Sequence, residues 1–242
     1  MLRMLAPKRW KSFPASERPS LLGWVLRPFY IDRIKRDISS NQDNITKRLF
    51  QDETSLALIA TATDLADKLN KHKIAYTFVG GFAINLHGFK RQTVDIDVVV
   101  THQGLEDVAQ KLKYSGIVPR FTGTKRSYRD PRTHVGVDFL VAGEFPGDGQ
   151  PKAVAFPDPC DDGASECVGG VRVIGLPKLI DLKLASYLSA REQRMKDWAD
   201  VYGLVKHLTL DSDFAVKVDP SVRSEFMRIL EIVERESKTE KK

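Results

Sequence analysis

The sequence predicts an α/β (α+β) protein built on a mixed β-sheet flanked by helices, with a helical C-terminal part. Three observations carry this. Short β-rich runs alternate with helix-period segments through the middle of the chain. The last strand-like run is followed by helical segments only. And 242 residues at 42% hydrophobic are enough to bury a sizeable core. No apolar run approaches the ~20 residues of a bilayer span, so a membrane-spanning protein is excluded. A charged fraction of 29% with ordinary aromatic content excludes global disorder.

Residues 1–48 stand apart as a basic, aromatic N-terminal arm. Pro7, Pro14, Pro19 and Pro28 interrupt any helix, and basic side chains interleave with Trp10, Phe13, Trp24, Phe29 and Tyr30. The arm holds 11 Lys and Arg against 4 Asp and Glu, while the rest holds 27 against 28. The whole surplus behind the net charge of +6 therefore sits in the arm. It reads either as a docking surface for an acidic partner such as RNA, with the aromatics as stacking platforms, or as an extension packing its aromatics on the body. It lacks the apolar stretch and cleavage site of a secretory signal. Cys160 and Cys167 are too few for a disulfide framework and lie among Pro159, Gly163, Gly169 and Gly170, which predicts an exposed loop. A cytoplasmic setting is expected.

The body follows in order. Leu56, Ile59, Ala60, Thr63, Leu65 and Leu69 recur at helical intervals, predicting a helix from Asp52 to about His72, capped at Asp52 or Thr54. A strand over Ala75–Val79 meets Gly80-Gly81, and a brief helix over Phe82–His87 closes at Gly88. Thr93–Val100 is a strand, about Gly104–Tyr114 a helix, and Val118–Phe121 and Lys125–Tyr128 are short strands before His134–Val141. Gly143–Gly170 reads as one Gly/Pro-rich loop, shaping a substrate entrance. A strand Val171–Ile174 precedes helices over Pro177–Ala190, Glu192–His207 and Pro220–Glu236. The expected division is the arm at 1–48, a sheet domain at 49–175 and a helical region at 176–242.

The chemistry concentrates on two of these strands. Side chains alternate along a strand, so Asp95 and Asp97 project from one face while Ile96 and Val98 fill the other. Two like charges on an apolar strand repel and are costly to desolvate unless a cation neutralises them or one reaches solvent at the strand end. An all-oxygen site suits Mg²⁺ or Mn²⁺. Asp138 repeats the anomaly on a second apolar strand. Upstream, Gly80-Gly81 between strand and helix offers bare backbone N–H groups where a triphosphate fits. Arg91 and Thr93 flank the carboxylate strand, Arg91 suiting a phosphate fork or an orienting partner for Asp95 or Asp97. His87 and His134 read as structural, since an all-oxygen site needs no histidine.

On these residues the chain resembles the nucleotidyltransferase superfamily with the DNA-polymerase-β type palm. More narrowly, VGGFAINLHGFKRQTVDIDVVV, LPKLIDLKLAS and RMKDWADVYGLV are similar to the AbiEii-like group, over about Ala75 to Val205. The resemblance implies a palm sheet and Mg²⁺-dependent transfer of a nucleoside monophosphate from an NTP to a hydroxyl. RNA such as a tRNA end is the expected acceptor, and an antitoxin protein the expected partner. It also implies that Gly80 and Gly81 receive the triphosphate, that Asp95 and Asp97 hold the bridging metals, and that Asp138 holds the metal nearer the acceptor. Toxin-like members use a lysine in one helix and an aspartate in the next, which here match Lys183 and Asp197, with Asp200 a close competitor. Leu179, Leu182, Leu184 and Leu188 line the buried side of that helix and place Lys183 near the site edge. Where many superfamily members carry Ser, this chain has Gly81, so a hydroxyl contact to phosphate is lost. An inactive nucleotide- or RNA-binding module and an antibiotic-type small-molecule nucleotidyltransferase are the alternatives.

Overall fold

The computed structural model describes residues 53–112, 115–168 and 170–239. The basic arm, and the expected cap at Asp52, lie outside the described residues.

Among the described residues, seven strands form one mixed sheet: β1 (Tyr76–Val79), β2 (Asp95–Val100), β3 (Val118–Pro119), β4 (Ser127–Arg129), β5 (Gly136–Val141), β6 (Ser165–Val168) and β7 (Val171–Ile174). Their order is β3-β4-β5-β2-β1-β7-β6. The centre pairs β1 antiparallel to β2, β2 parallel to β5 and β1 parallel to β7. Central strands buried on both sides read as apolar runs. That is why VDIDVVV is legible as a strand and why its two aspartates are anomalous there.

The described residues hold six α-helices: α1 (Glu53–Lys71), α2 (Gly80–Leu86), α3 (His102–Lys111), α4 (Leu176–Ser189), α5 (Met195–Leu208) and α6 (Pro220–Thr239). Helix α1 packs on β2 and β7, α3 on β2 and β5, and α2 bridges β1, β2 and β7 to α4. Helices α4, α5 and α6 pack on one another, joined by a 3₁₀ turn at Ser212–Lys217. A single core runs from Leu58 and Leu65 through Phe78, Phe82, Ile96 and Val98 to Leu184, Val201 and Phe226, all essentially without exposure. Each such large side chain contributes about 1.5–3 kcal/mol by leaving water. No described helix is long and apolar enough to cross a membrane.

The strands and helices follow the sequence with ends shifted by a few residues, among them β3 ending at Pro119, β5 starting at Gly136 and α5 starting at Met195, and four differences bear on the site or its surroundings. The expected loop 143–170 contains β6, which puts the exposed Cys167 on an edge strand rather than in a loop, while Cys160 is exposed in the loop as expected. Helix α2 starts at Gly80, immediately after β1, because Gly80 at φ +65° makes the turn from strand to helix without a linker. Helix α3 starts at His102, where Thr101 caps it by accepting from the Gly104 N–H at 2.9 Å. Strand β2 starts at Asp95, leaving Thr93 just before it.

Candidate active site

The parallel pairing of β2 with β5 sets Asp97 directly opposite Asp138, and Asp95 opposite Gly136. Partners in register share a face, so Asp95, Asp97 and Asp138 all project from the same side. Ile96 and Val98, fully buried, point the other way. Each flanking carboxylate is held by a hydroxyl: Thr93 Oγ1 donates to Asp95 Oδ1 at 3.0 Å, and Ser127 Oγ to Asp138 Oδ1 at 2.5 Å. Arg120 Nη1 stands 3.7 Å from Asp138 Oδ2. Burial pushes the Asp97 carboxyl up to about 6, with Asp95 and Asp138 adding to the rise and Lys183 and Arg91 opposing it.

Antiparallel pairing puts Val79, the last residue of β1, opposite Asp97. Gly80 therefore begins its turn beside that carboxylate, and any Cβ on Gly80 would collide with Asp97 Oδ2. Glycine is required there twice, for its backbone angle and for this approach. At Gly81 only the approach matters: a Cβ would meet Arg91 Nη1 and Thr93 Oγ1. Gly80 thus abuts Asp97, and the adjoining Gly81 abuts Arg91 and Thr93, around one turn.

The helical layer supplies the countercharge. Lys183 on α4 donates to Asp197 Oδ1 at 2.7 Å and lies 2.8 Å from Asp200 Oδ2, both on α5. Arg91 Nε stands 2.7 Å from Asp200 Oδ1, and Ser186 Oγ donates to Asp197 Oδ2 at 2.6 Å. The Lys183 side chain is 13% exposed, held by two aspartates one helical turn apart, and its charge acts on Asp97. Asp197 and Asp200 both engage Lys183. His87 is structural, its Nε2 2.7 Å from the Ile174 carbonyl and its Nδ1 3.5 Å from Glu166. His134 forms the tight turn before β5, at φ +63°.

Sequence reading missed Asn85, Ser127 and Ser186. Ser186 lies three residues after Lys183, a same-face spacing that was available. Asn85 accepts from the Arg91 backbone N–H at 2.6 Å. It and Ser127 act through partners set by the fold, and no local pattern signals them.

Among the described residues, no group of three or more His, Cys, Asp or Glu side chains is gathered closely enough to hold a metal ion. The donor chemistry nonetheless fits a hard divalent cation. Three carboxylates share one face, no nitrogen or sulfur ligand intrudes, and burial raises the middle one to about 6, with its two carboxylate neighbours adding to the rise.

Comparison with known proteins gives the class: the chain is a nucleotidyltransferase, an enzyme that transfers nucleotidyl groups. Residues 63–228 match the family described as nucleotidyl transferase AbiEii toxin, type IV toxin–antitoxin system, and the chain belongs to that family. No curated protein matches the chain significantly. Among solved structures, the antibiotic-resistance factor ANT(2'')-Ia in solution is 14% identical, with 78% of this chain and 100% of that one covered at a TM-score of 0.45. The crystal structure of ANT(2'')-Ia with adenylyl-2''-tobramycin is 13% identical, covering 72% and 98% at 0.46. JHP933 from Helicobacter pylori is 14% identical, covering 78% and 93% at 0.35. At TM-scores this low the likenesses carry no weight for function, which rests on the family match.

Proposed function

We propose that the chain is a toxin-type enzyme that transfers a nucleoside monophosphate from an NTP to a hydroxyl of RNA, such as a tRNA end, and depends on Mg²⁺ or Mn²⁺. A cytoplasmic setting and an antitoxin protein partner belong to the same reading. The observation that carries it is the placement of Asp97, in register with Asp138, beside Asp95 and against the bare Cα of Gly80. In this reading Asp95, Asp97 and Asp138 hold the metal, and Gly80 and Gly81 seat the triphosphate with Thr93 and Arg91. Bound metal supplies the charge that eases formation of the attacking oxyanion and departure of pyrophosphate. Lys183, steadied by Asp197, places a positive charge toward the reacting phosphates.

RNA as acceptor is supported on the Asp138 side. Arg120 reaches toward Asp138, and the next residue, Phe121, leaves a ring 63% exposed, suited to base stacking. The test incubates the full chain with each labelled NTP, Mg²⁺ and total RNA. Label is expected on RNA with the wild type and lost with Asp97→Asn. No label from any NTP, or label unchanged by that substitution, overturns the reading. Deleting residues 1–48 is expected to weaken RNA association and flatten its salt dependence while sparing NTP binding. Unchanged RNA affinity assigns the arm to packing instead.

A further inference from the structure

Arg91 is fixed at three points. Its backbone N–H donates to Asn85 at 2.6 Å, its Nε stands 2.7 Å from Asp200 Oδ1, and its Nη1 fills the space where a Gly81 side chain would lie. The segment carrying it is seated on α5 by Phe89, whose ring occupies the place of a Gly203 side chain. Gly203 lies three residues after Asp200 and so on the same face of α5. Two glycines thus lack side chains because parts of one short segment, Phe89 and Arg91, pass over them. Gly81 is not at positive φ, so its backbone angle does not account for it.

Asp200 is the hub of this arrangement. Its side chain is 5% exposed and lies between two cations, Arg91 and Lys183. Lys183 directs its hydrogen bond to Asp197, leaving Asp200 Oδ2 ion-paired at 2.8 Å but without a well-directed donor. Because Asp200 engages Arg91 through Nε, the Nη nitrogens keep N–H donors for another anion.

We propose that Asp200 is a positioning residue that pins the Arg91 guanidinium across Gly81, making Arg91 the chain's own clamp on the triphosphate. This rests on the reading of the Gly80-Gly81 turn as the triphosphate seat. It also gives Gly81 a role: the volume a side chain would take is given to a guanidinium, a stronger and bidentate phosphate donor than any small side chain at that position.

The test is calorimetric titration of the full chain with inorganic tripolyphosphate, without acceptor, alongside thermal melting of each variant. Asp200→Asn is expected to weaken tripolyphosphate binding about 10-fold to 100-fold, the range of one charge-assisted contact. Gly81→Ala is expected to cause a similar loss with Asp200 intact, because the new Cβ displaces Arg91. Combining the two is expected to add little, since both remove one interaction. Arg91→Lys keeps the charge but not the fork and is expected to retain only part of the wild-type affinity. With labelled NTP, the losses are expected in KM more than in kcat.

Wild-type-like tripolyphosphate binding by Asp200→Asn, or full additivity of the two losses, overturns the proposal. So does a wild-type chain that binds no tripolyphosphate. Should Asp200→Asn melt below the assay temperature, the Gly81→Ala and Arg91→Lys titrations decide alone: wild-type affinity in both overturns it. The proposed function is judged separately by label transfer to RNA. An Asp200-dependent clamp on tripolyphosphate without any transfer leaves this inference standing and removes that one.

Discussion

Asp97 on β2 and Asp181 on α4 are both buried carboxyls pushed up to about 6, in each case chiefly by burial. Their surroundings differ in kind. Asp97 faces two more carboxylates and two cations that belong to other partners, so nothing dedicated to it compensates its charge. Asp181 accepts the Asp219 backbone N–H at 2.8 Å, tying α4 to the chain just before α6, and has Lys178 at 4.0 Å. The same loss of water accompanies a structural hydrogen bond in the helical layer and, on the sheet, a carboxyl set among other carboxylates, where the proposed function places a cation. The raised value alone does not mark a site; the neighbours do.

Removing the countercharge should have the largest effect. Lys183 neutralises Asp197 and Asp200, both largely buried. Lys183→Met leaves them with Arg91 and Ser186 alone, and breaking one side of a buried ionic cluster costs about 3–5 kcal/mol. Urea unfolding at pH 8 measures it. A loss below about 1 kcal/mol, the value of an exposed pair, would mean the cluster is solvated.

Asp97→Asn should act in the opposite sense on stability while abolishing activity. A carboxyl whose folded value lies above its ordinary one holds its proton more tightly when folded, so the wild type loses stability as pH rises from about 4 to about 6 and stays lower beyond. The asparagine variant has no such decline. In metal-free buffer at pH 8 it should be more stable by about 1–3 kcal/mol, with the gap closing toward pH 4. Adding Mg²⁺ should raise the wild type and not the variant. Label transfer should fall by about 10²-fold or more. A variant less stable than the wild type at pH 8 would show that Asp97 is compensated like Asp181, and the comparison would fail.

How much of this was legible in the sequence follows the range of each signal. Strand alternation has a period of two, so Asp95 and Asp97 announced their shared face within three residues, and Asp138 repeated the pattern on a second apolar run. Their register across β2 and β5 is a property of the sheet, which no local pattern signals. Lys183 and Asp197 were reached only through resemblance. The Arg91–Asp200 pair was not anticipated at all, because it joins the loop after α2 to α5 across more than a hundred residues. Its one local trace was Gly81, which stood out as a departure; the structure shows its place taken by Arg91. Strand β6 was hidden because Gly/Pro-rich flanks read as loop, whereas its pairing with β7 is a hairpin closed around Gly170, at φ +83°.

The smallest expected effect sharpens the comparison from the structural side. Asp181→Asn keeps an oxygen for the Asp219 N–H and discards a charge that is costly to bury, so above pH 6 it should stabilise the chain, by about 1 kcal/mol once the unpartnered amide N–H₂ is set against the gain. Asp181→Leu discards the charge and the acceptor together, leaving the Asp219 N–H without its partner, and should fall about 1–3 kcal/mol below the asparagine variant. Near pH 3, below both the folded and the ordinary value so that the wild-type carboxyl is mostly protonated in both states, the asparagine advantage should vanish while the leucine deficit persists, because a hydrogen bond to a neutral acceptor does not titrate. Urea midpoints at pH 3 and pH 8 separate the two. Mg²⁺ should shift neither variant relative to the wild type, since Asp181 has its donor within the fold; a metal-dependent shift at Asp181 equal to that at Asp97 would mean that burial, and not the company of Asp95 and Asp138, creates the demand for a cation.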